Sequence, residues 1–318
     1  MPLTTDEKLL TLSRDVLQGF EKVDGGIHPG FRPVHAKGIL LAGVFTPSPE
    51  ASALTSAPHI QRQSTPVTVR FSDFAGIPTV PDNDPQNASP RGCAIRFHLG
   101  EHVHTDIVAH SVDAFPARTV EEFLDFLNAL IATDPGGPHP NAIEQFLGTH
   151  PAALTFVQMP KPIPTSFARE SFFAVSAFRF TNTQGLSRYG RYVLLPAAGN
   201  DYLNEAGAAA QTQSFLLEEI EGRLAKGPVD FRIVVQLAED GDTVDDATVR
   251  WPKDRPQLTF GEISLTGITP NNAREQQQII FDPIPRVEGI EASADPLFEP
   301  RANIYLMSGR RRRSAAKP

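Results

Sequence analysis

The 318-residue sequence has one cysteine, Cys93, so no disulfide can form within the chain and a small disulfide-stapled scaffold is excluded. Long apolar runs are also missing. A membrane-spanning helix needs about 18 consecutive apolar residues, whereas the longest candidates here, ILLAGVF at 39–45 and IVV at 233–235, are strand-sized. Positive charge is in short supply, with 29 basic against 37 acidic side chains and a net charge of −8. Such a balance gives no general attraction to phosphate backbones or anionic lipid, so neither nucleic acid nor a membrane is expected as partner. The N-terminus, MPLTTDEKLLTLSRD, places Asp6 and Glu7 where an export signal carries positive charge, and a cytoplasmic protein is expected. No G-x-S-x-G elbow, Walker loop, CxxC pair or strand-following GxGxxG occurs, which leaves the common nucleophile, phosphate and dinucleotide readings without support.

Proline, by contrast, is abundant and spread throughout, 29 in all, against a usual share of about 5%. That distribution predicts one loop-rich domain over 1–318. Helix signals are few: Thr4 with Glu7 reads as a capping box opening an N-terminal helix within 1–25, and Thr119 with Glu122 opens a second, stopped by Gly136-Gly137-Pro138. A third is expected over 211–226. Short runs rich in β-branched and aromatic residues predict strands at 38–46, 66–72, 93–99, 172–180, 188–195, 229–238 and 257–267. Asn182-Thr183-Gln184-Gly185 joins the fourth and fifth as a hairpin. Many antiparallel strands with helices set apart imply an α+β protein built on a β-barrel.

Four histidines cluster at His98, His102, His104 and His110. Imidazoles two apart on a strand face the same way, so His102 and His104 raise a cupin-like metal site, although no glutamate follows at the required spacing. Arg310 to Arg313 begin a basic segment, 310–318, that reads either as a solvated tail or as an anion site.

Five separated segments carry a resemblance: FRPVHAKGILLAGVFT at 31–46, VRFSDFAG at 69–76, SPRGCAIRFHL at 89–99, TDIVAHSVDAF at 105–115 and FDPIPRVEGIEASADPLFEPRANIYLMSGRRRR at 281–313. In this order they resemble the haem catalase superfamily, whose distal motif has the form R-x-V-H-A-[RK]-G and whose proximal motif is R-x-x-x-Y. The chain resembles the minimal, catalase-related peroxidase branch, without the long arm, wrapping segment and helical domain of full catalases. Coral allene oxide synthases share the same core.

The resemblance implies a catalase-like antiparallel barrel enclosing haem b, with peripheral helices. Tyr305 is then the axial iron ligand and Arg301, one helical turn earlier, its charge partner. On the opposite face His35 moves the peroxide proton, a task suited to an imidazole whose ordinary pKa is about 6.5, and Ser72 orients it. Arg32, Arg70 and Arg312 are assigned to the haem propionates, by bidentate contacts that guanidinium makes well. Val34, Phe115 and Phe123 line the pocket. Three positions depart from the family pattern: the distal asparagine falls at His110, the proximal histidine at Gly309, and a strand histidine that supports the axial arginine at Ser176, leaving Asp295 to pair with Arg301. The implied activity is cleavage of hydrogen peroxide or organic hydroperoxides with oxidation of small organic donors, weak catalase activity, and a homodimeric assembly without a nicotinamide nucleotide. The alternatives are hydroperoxide rearrangement of the allene oxide synthase kind and a barrel that binds haem or lipid without turnover.

Overall fold

Strand alternation sorts the side chains of this chain into two populations, and that sorting builds the site. The computed structural model describes residues 3–315. Among them are ten strands: β1 (Gly38–Pro47), β2 (Thr65–Ser72), β3 (Gly92–Gly100), β4 (Val103–His110), β5 (Phe172–Phe173), β6 (Phe178–Thr181), β7 (Ser187–Pro196), β8 (Val229–Leu237), β9 (Gln257–Ile268) and β10 (Ile290–Ala292). Every pairing is antiparallel, in the order β7-β5-β4-β3-β2-β1-β9-β8, and β8 returns to β7, which closes an eight-stranded barrel. Strands β6 and β10 extend the sheet beyond the ring.

One side of each strand fills the barrel. Ile39, Phe71, Cys93 and Ala109 stand opposite one another on β1 to β4, all buried in a single core with Phe45, Phe97, Phe172, Phe180, Phe231 and Phe260. The aromatic rings meet edge-on or tilted, as at Phe45 and Phe97, 5.1 Å apart at 89°. The other side of the same strands faces outward. There Gly38, Ser72, Gly92 and His110 form one register row, continued by Phe173 on β5, and Leu40, Arg70, Ala94 and Val108 form the next.

Helices cover that outer face. Helix α1 (Glu7–Val23) packs on α3 (Val120–Ile131) and on α9 (Phe298–Ala315) through Val16, Leu17, Val120, Leu127 and Ile304. The remainder are α2 (Ala51–Leu54), α4 (Ala142–Thr149), α5 (Pro151–Gln158), α6 (Glu205–Ala209), α7 (Phe215–Leu224) and α8 (Asn272–Gln278). Among the described residues no helix is long and apolar enough to cross a membrane.

The predicted elements are largely present, with local corrections. The cap of α1 is Asp6, whose carboxylate accepts from Leu9 N; Thr4 instead uses its backbone N–H on Asn303 Oδ1, 3.1 Å away, tying the two ends of the chain together. Thr119 does cap α3, but that helix ends at Ile131, before the glycine pair. Helix α7 is shorter than 211–226 because Ser214 already has non-helical backbone. The strand expected over 172–180 is split into β5 and β6, with Ser176 in the gap turned toward α9. Strand β4 was not predicted: His104, Thr105 and Asp106 interrupt its apolar pattern, and pairing along β3 supplies the order that local sequence does not. The Asn182–Gly185 hairpin forms, with Gly185 at φ 79°.

Replacing Phe45 by alanine removes a ring that is 0% exposed; we expect about 3–5 kcal/mol loss of stability, read as a lowered midpoint in denaturant unfolding.

Candidate active site

His35 lies in the connection from α1 to β1 with φ 60°, a conformation that side-chain-bearing residues rarely adopt. Three backbone hydrogen bonds hold it there: His35 N to Phe74 O at 2.5 Å, Ala36 N to Ala75 O at 3.0 Å and Asp73 N to Lys37 O at 3.1 Å. The imidazole Nδ1 is 2.9 Å from the Asp73 carbonyl oxygen and 3.2 Å from Ser72 Oγ. A carbonyl only accepts, so Nδ1 carries the hydrogen and Nε2 keeps its lone pair. The ring occupies the gap in the outer row left by Gly92: a Cβ there would stand 2.6 Å from Ser72 Oγ and 2.8 Å from His35 Nδ1. Phe74 meets the ring edge-on at 5.5 Å. Part of His35 stays accessible, yet the protein around it withdraws water and, with the Arg70 guanidinium, lowers its pKa to about 3. The imidazole is therefore a neutral acceptor at physiological pH.

His110, on the far side of Gly92 in the same row, adds a second imidazole. Its Nδ1 is buried with no protein partner, and burial, followed by the charge of Arg301, lowers its pKa to about 4. Phe115 lies 6.5 Å from it and stacks on Phe123 at 5.4 Å; Phe123 in turn joins the α1–α3–α9 cluster that includes Tyr305. Arg32, Val34, His35, His110, Phe115, Phe123, Arg301 and Tyr305 are all partly accessible, whereas Arg70, Ser72 and Gly92 on the strands are buried.

Three guanidiniums gather at one edge. Arg70 donates to Gln276 Oε1 (3.0 Å) and to the carbonyls of His35 (2.9 Å) and Ala36 (3.2 Å). Arg32 donates to the carbonyls of Gln276 (3.1 Å) and Ile279 (3.2 Å), and Arg312 to Ser308 Oγ and to Ile279 O, both at 2.8 Å. Every one of these acceptors is uncharged. Burial, and then the mutual repulsion of the group, pushes Arg32 and Arg70 below the ordinary guanidinium value. Arg70 and Arg312 are each 3% exposed, and among the described residues Arg312 Nε has no acceptor and none of the three guanidiniums holds a carboxylate. Cations this desolvated favour an anionic partner. The set thus fits a flat group bearing two carboxylates, with an imidazole on one side and a phenol within reach, as in an iron porphyrin.

Arg301 and Tyr305 lie one turn apart on α9, with the guanidinium carbon 5.9 Å from the phenol ring centre. Arg301 Nη1 reaches Ser176 Oγ at 3.4 Å, so the serine does stand where the resemblance puts a supporting histidine. Asp295 does not form the expected direct ion pair. Its Oδ1 accepts from Leu297 N at 2.9 Å, Oδ2 is buried without a protein partner, and burial raises its pKa. At Gly309 the Ile280 side chain occupies the missing volume, 2.3 Å from where a Cβ would be.

Other expectations change. Arg310, Arg311 and Arg313 belong to the last turns of α9, with Arg311 paired to Glu21 and Arg313 donating to Gln278 O at 2.6 Å; residues 316–318 lie outside the described ones. The His102–His104 metal site fails because His102 sits in the β3–β4 turn at φ 59° with a 93% exposed side chain, while His104 lies on β4 opposite His98. Among the described residues no metal-binding cluster of histidine, cysteine or carboxylates occurs. Sequence reasoning missed Asp73, Asp82 and Arg91, which support His35 from behind. Arg91 stands inside the quoted SPRG segment, the one signal that pointed to it.

Comparisons with known proteins give the family and the fold. Residues 29–317 match the family described as Catalase. The chain is 35% identical over 289 residues to a catalase-related peroxidase of Mycolicibacterium paratuberculosis, covering 89% of this chain and 90% of that one. It is 31% identical to a catalase-related peroxidase of Synechococcus elongatus, covering 89% and 84%. Among solved structures, a fungal catalase superposes with TM-score 0.77 at 23% identity, over 98% of this chain and 64% of that one, and a bacterial catalase with TM-score 0.76 at 23%, over 98% and 62%. The chain spans less than two thirds of the length of those two catalases. The fold is a catalase-type barrel, with the clustered groups on its outer wall. By sequence the chain belongs to the catalase family, and its relatives include the short, catalase-related peroxidases.

Gly92→Ala is expected to push the His35 ring out of its gap, visible in a crystal structure of the variant as a rotated imidazole that has lost the 2.9 Å contact to Asp73 O.

Proposed function

We propose that the protein is a haem b peroxidase related to catalase, acting on peroxide. The observation that carries this reading is the neutral His35 imidazole, with a free Nε2, on the same outer barrel wall as the acid-free Arg32–Arg70–Arg312 cluster. Arg32, Arg70 and Arg312 would hold the two propionates, Tyr305 would ligate the iron and Arg301 would favour its phenolate. Val34, Phe115 and Phe123 would line the space around the ring. When bound, haem supplies the redox chemistry that breaks the O–O bond and later oxidises a donor.

The work of the chain itself is proton management. Nε2 of His35 takes the proton from the near oxygen of the peroxide and returns it to the far one, which departs as water or alcohol. Hydrogen bonding of Nδ1 to the Asp73 carbonyl, with Ser72 Oγ beside it, keeps the ring from turning its protonated edge to the substrate. His110 replaces the amide that the family uses as second donor with a neutral imidazole. Hydrogen peroxide disproportionation is accordingly weak and small organic donors are the main reductants. Organic hydroperoxides are accepted as well as hydrogen peroxide. Retention of His35, Ser72, Arg301 and Tyr305 together favours turnover over a barrel that only stores haem or lipid.

The test begins with haem reconstitution, which should give a high-spin ferric Soret band that Tyr305→Phe alters. His35→Ala should keep haem and lose about 100-fold or more in guaiacol-type dye oxidation. His110→Asn should raise oxygen release from hydrogen peroxide relative to dye oxidation. Colourless protein after haem is supplied, or full dye oxidation by His35→Ala, would reject the proposal.

A further inference from the structure

Behind the Nδ1 edge of His35, four charged side chains are shut away from water. Arg91 and Asp73 are 0% and 1% exposed, and Lys37 and Asp82 are 8% and 1% exposed. Arg91 Nη1 holds the Asp73 carboxylate and its Nη2 the Asp82 carbonyl. Lys37 Nζ holds the Asp82 carboxylate together with the carbonyls of Val80 (2.9 Å) and Gln213 (2.6 Å), and the second Asp82 oxygen accepts from Leu216 N at 2.7 Å. Two cations face two carboxyl groups; burial, with Asp82 alongside, raises the Asp73 pKa, and the Arg91 guanidinium opposes that rise. Such buried sets add little stability over apolar residues of the same shape, because desolvation offsets the attraction. An apolar set, however, cannot fix direction.

Direction is what the neighbouring imidazole requires. Asp73 is the residue whose carbonyl receives the His35 Nδ1 hydrogen. Its peptide is pinned by Asp73 N to Lys37 O (3.1 Å) and Phe74 N to Ala88 O (3.1 Å), and its side chain by Arg91. Arg91 directly precedes Gly92, the gap that receives the ring, and is itself fixed by two 2.9 Å hydrogen bonds with Ser111. The ion pair therefore adds a side-chain tie between the turn that carries the acceptor and the strand that carries the gap, just beyond the last β2–β3 ladder pair, Ser72 and Gly92.

We propose that Arg91 and Asp73 are positioning residues for His35: their buried pair holds the Asp73 carbonyl against Nδ1 and the ring in the Gly92 gap, so that Nε2 keeps its lone pair toward the substrate. This rests on the reading of His35 as the proton-transferring group. The other charged or titratable groups facing the ring are Arg70 from β2, His110 from β4 and Arg32 from its own segment, and none of them touches Nδ1.

The experiment compares haem-loaded wild type with Arg91→Met, Asp73→Asn and the double variant, alongside the milder Arg91→Lys, which keeps the charge and loses the fork. Each single loss leaves the other member of the buried pair without its partner and lowers the unfolding temperature; the double variant removes both members and regains most of it. Every variant should nevertheless react with peroxide about 100-fold more slowly, as a misplaced group does. Cyanide association, followed by the Soret shift, supplies a readout independent of turnover. In wild type His35 is held to about 3, so association is level between about pH 5 and 8. Once released, the imidazole moves toward its ordinary value of about 6.5, is protonated below it, and association falls as the pH drops through that value. In a His35→Ala background the same substitutions should change neither rate. A double variant that regains stability together with wild-type rate and a level pH profile would reduce the pair to a structural role, and so would wild-type kinetics in Arg91→Lys if the other variants do not accumulate. Wild-type protein that takes up no haem would instead overturn the proposed function and leave the clamp geometry standing.

Discussion

Charge without counter-charge governs this structure. Arg32, Arg70 and Arg312 converge from the segment before β1, from β2 and from the last turns of α9, and what they share is a set of carbonyls, an amide and a hydroxyl. A protein fold tolerates that concentration of desolvated cations only where something negative completes it. The same segments carry His35, three residues after Arg32, and Tyr305, two turns before Arg312 on α9. In contrast, the cations behind His35, Lys37 and Arg91, each hold a carboxyl group of the chain. Among the described residues the first group has no acidic partner and the second does, a division that burial alone would not reveal.

The barrel makes both possible by using its two faces differently. Its interior is packed mainly with phenylalanine, so the wall is stiff. The outer face is where small residues matter: Gly92 admits the imidazole, and Ala94 and Val108 in the next row leave a shallow floor beside it. A shift of one residue in the β2–β3–β4 register would send Ser72 and His110 into the core and Phe71 and Ala109 outward. The core aromatics thus specify the site indirectly, since they are what makes any other register costly.

Much of this was legible in the sequence. Strands with β-branched and aromatic runs stood within a residue or two of their predicted limits, because local pattern and tertiary pairing agree there. Strand β4 and the break between β5 and β6 were not legible, since their order comes from partners distant in the chain. At the site, the motif blocks named His35 in the segment before β1 and Tyr305 on α9, with Arg32, on which the charge of Arg70 and a contribution from Tyr305 both act, between those two segments. The role of Arg91 was hidden because a buried arginine and a surface arginine look alike in sequence, and only the Asp73 partner tells them apart. Asp295 shows the opposite error: proximity in sequence suggested an ion pair with Arg301, while the carboxylate spends one oxygen on the Leu297 amide.

The chain ends meet at Thr4 and Asn303, and the imidazole and the phenol of the pocket come from opposite ends of the polypeptide. Contacts of such long sequence separation form late, after the loops between them have closed. During synthesis the barrel wall is complete before α9 emerges, and until then the guanidinium cluster lacks Arg312 and the pocket lacks its phenol. Arg301, Tyr305 and Arg312 all arrive on α9, the last of the described elements in chain order, so this corner of the molecule is completed only when that helix docks on α1.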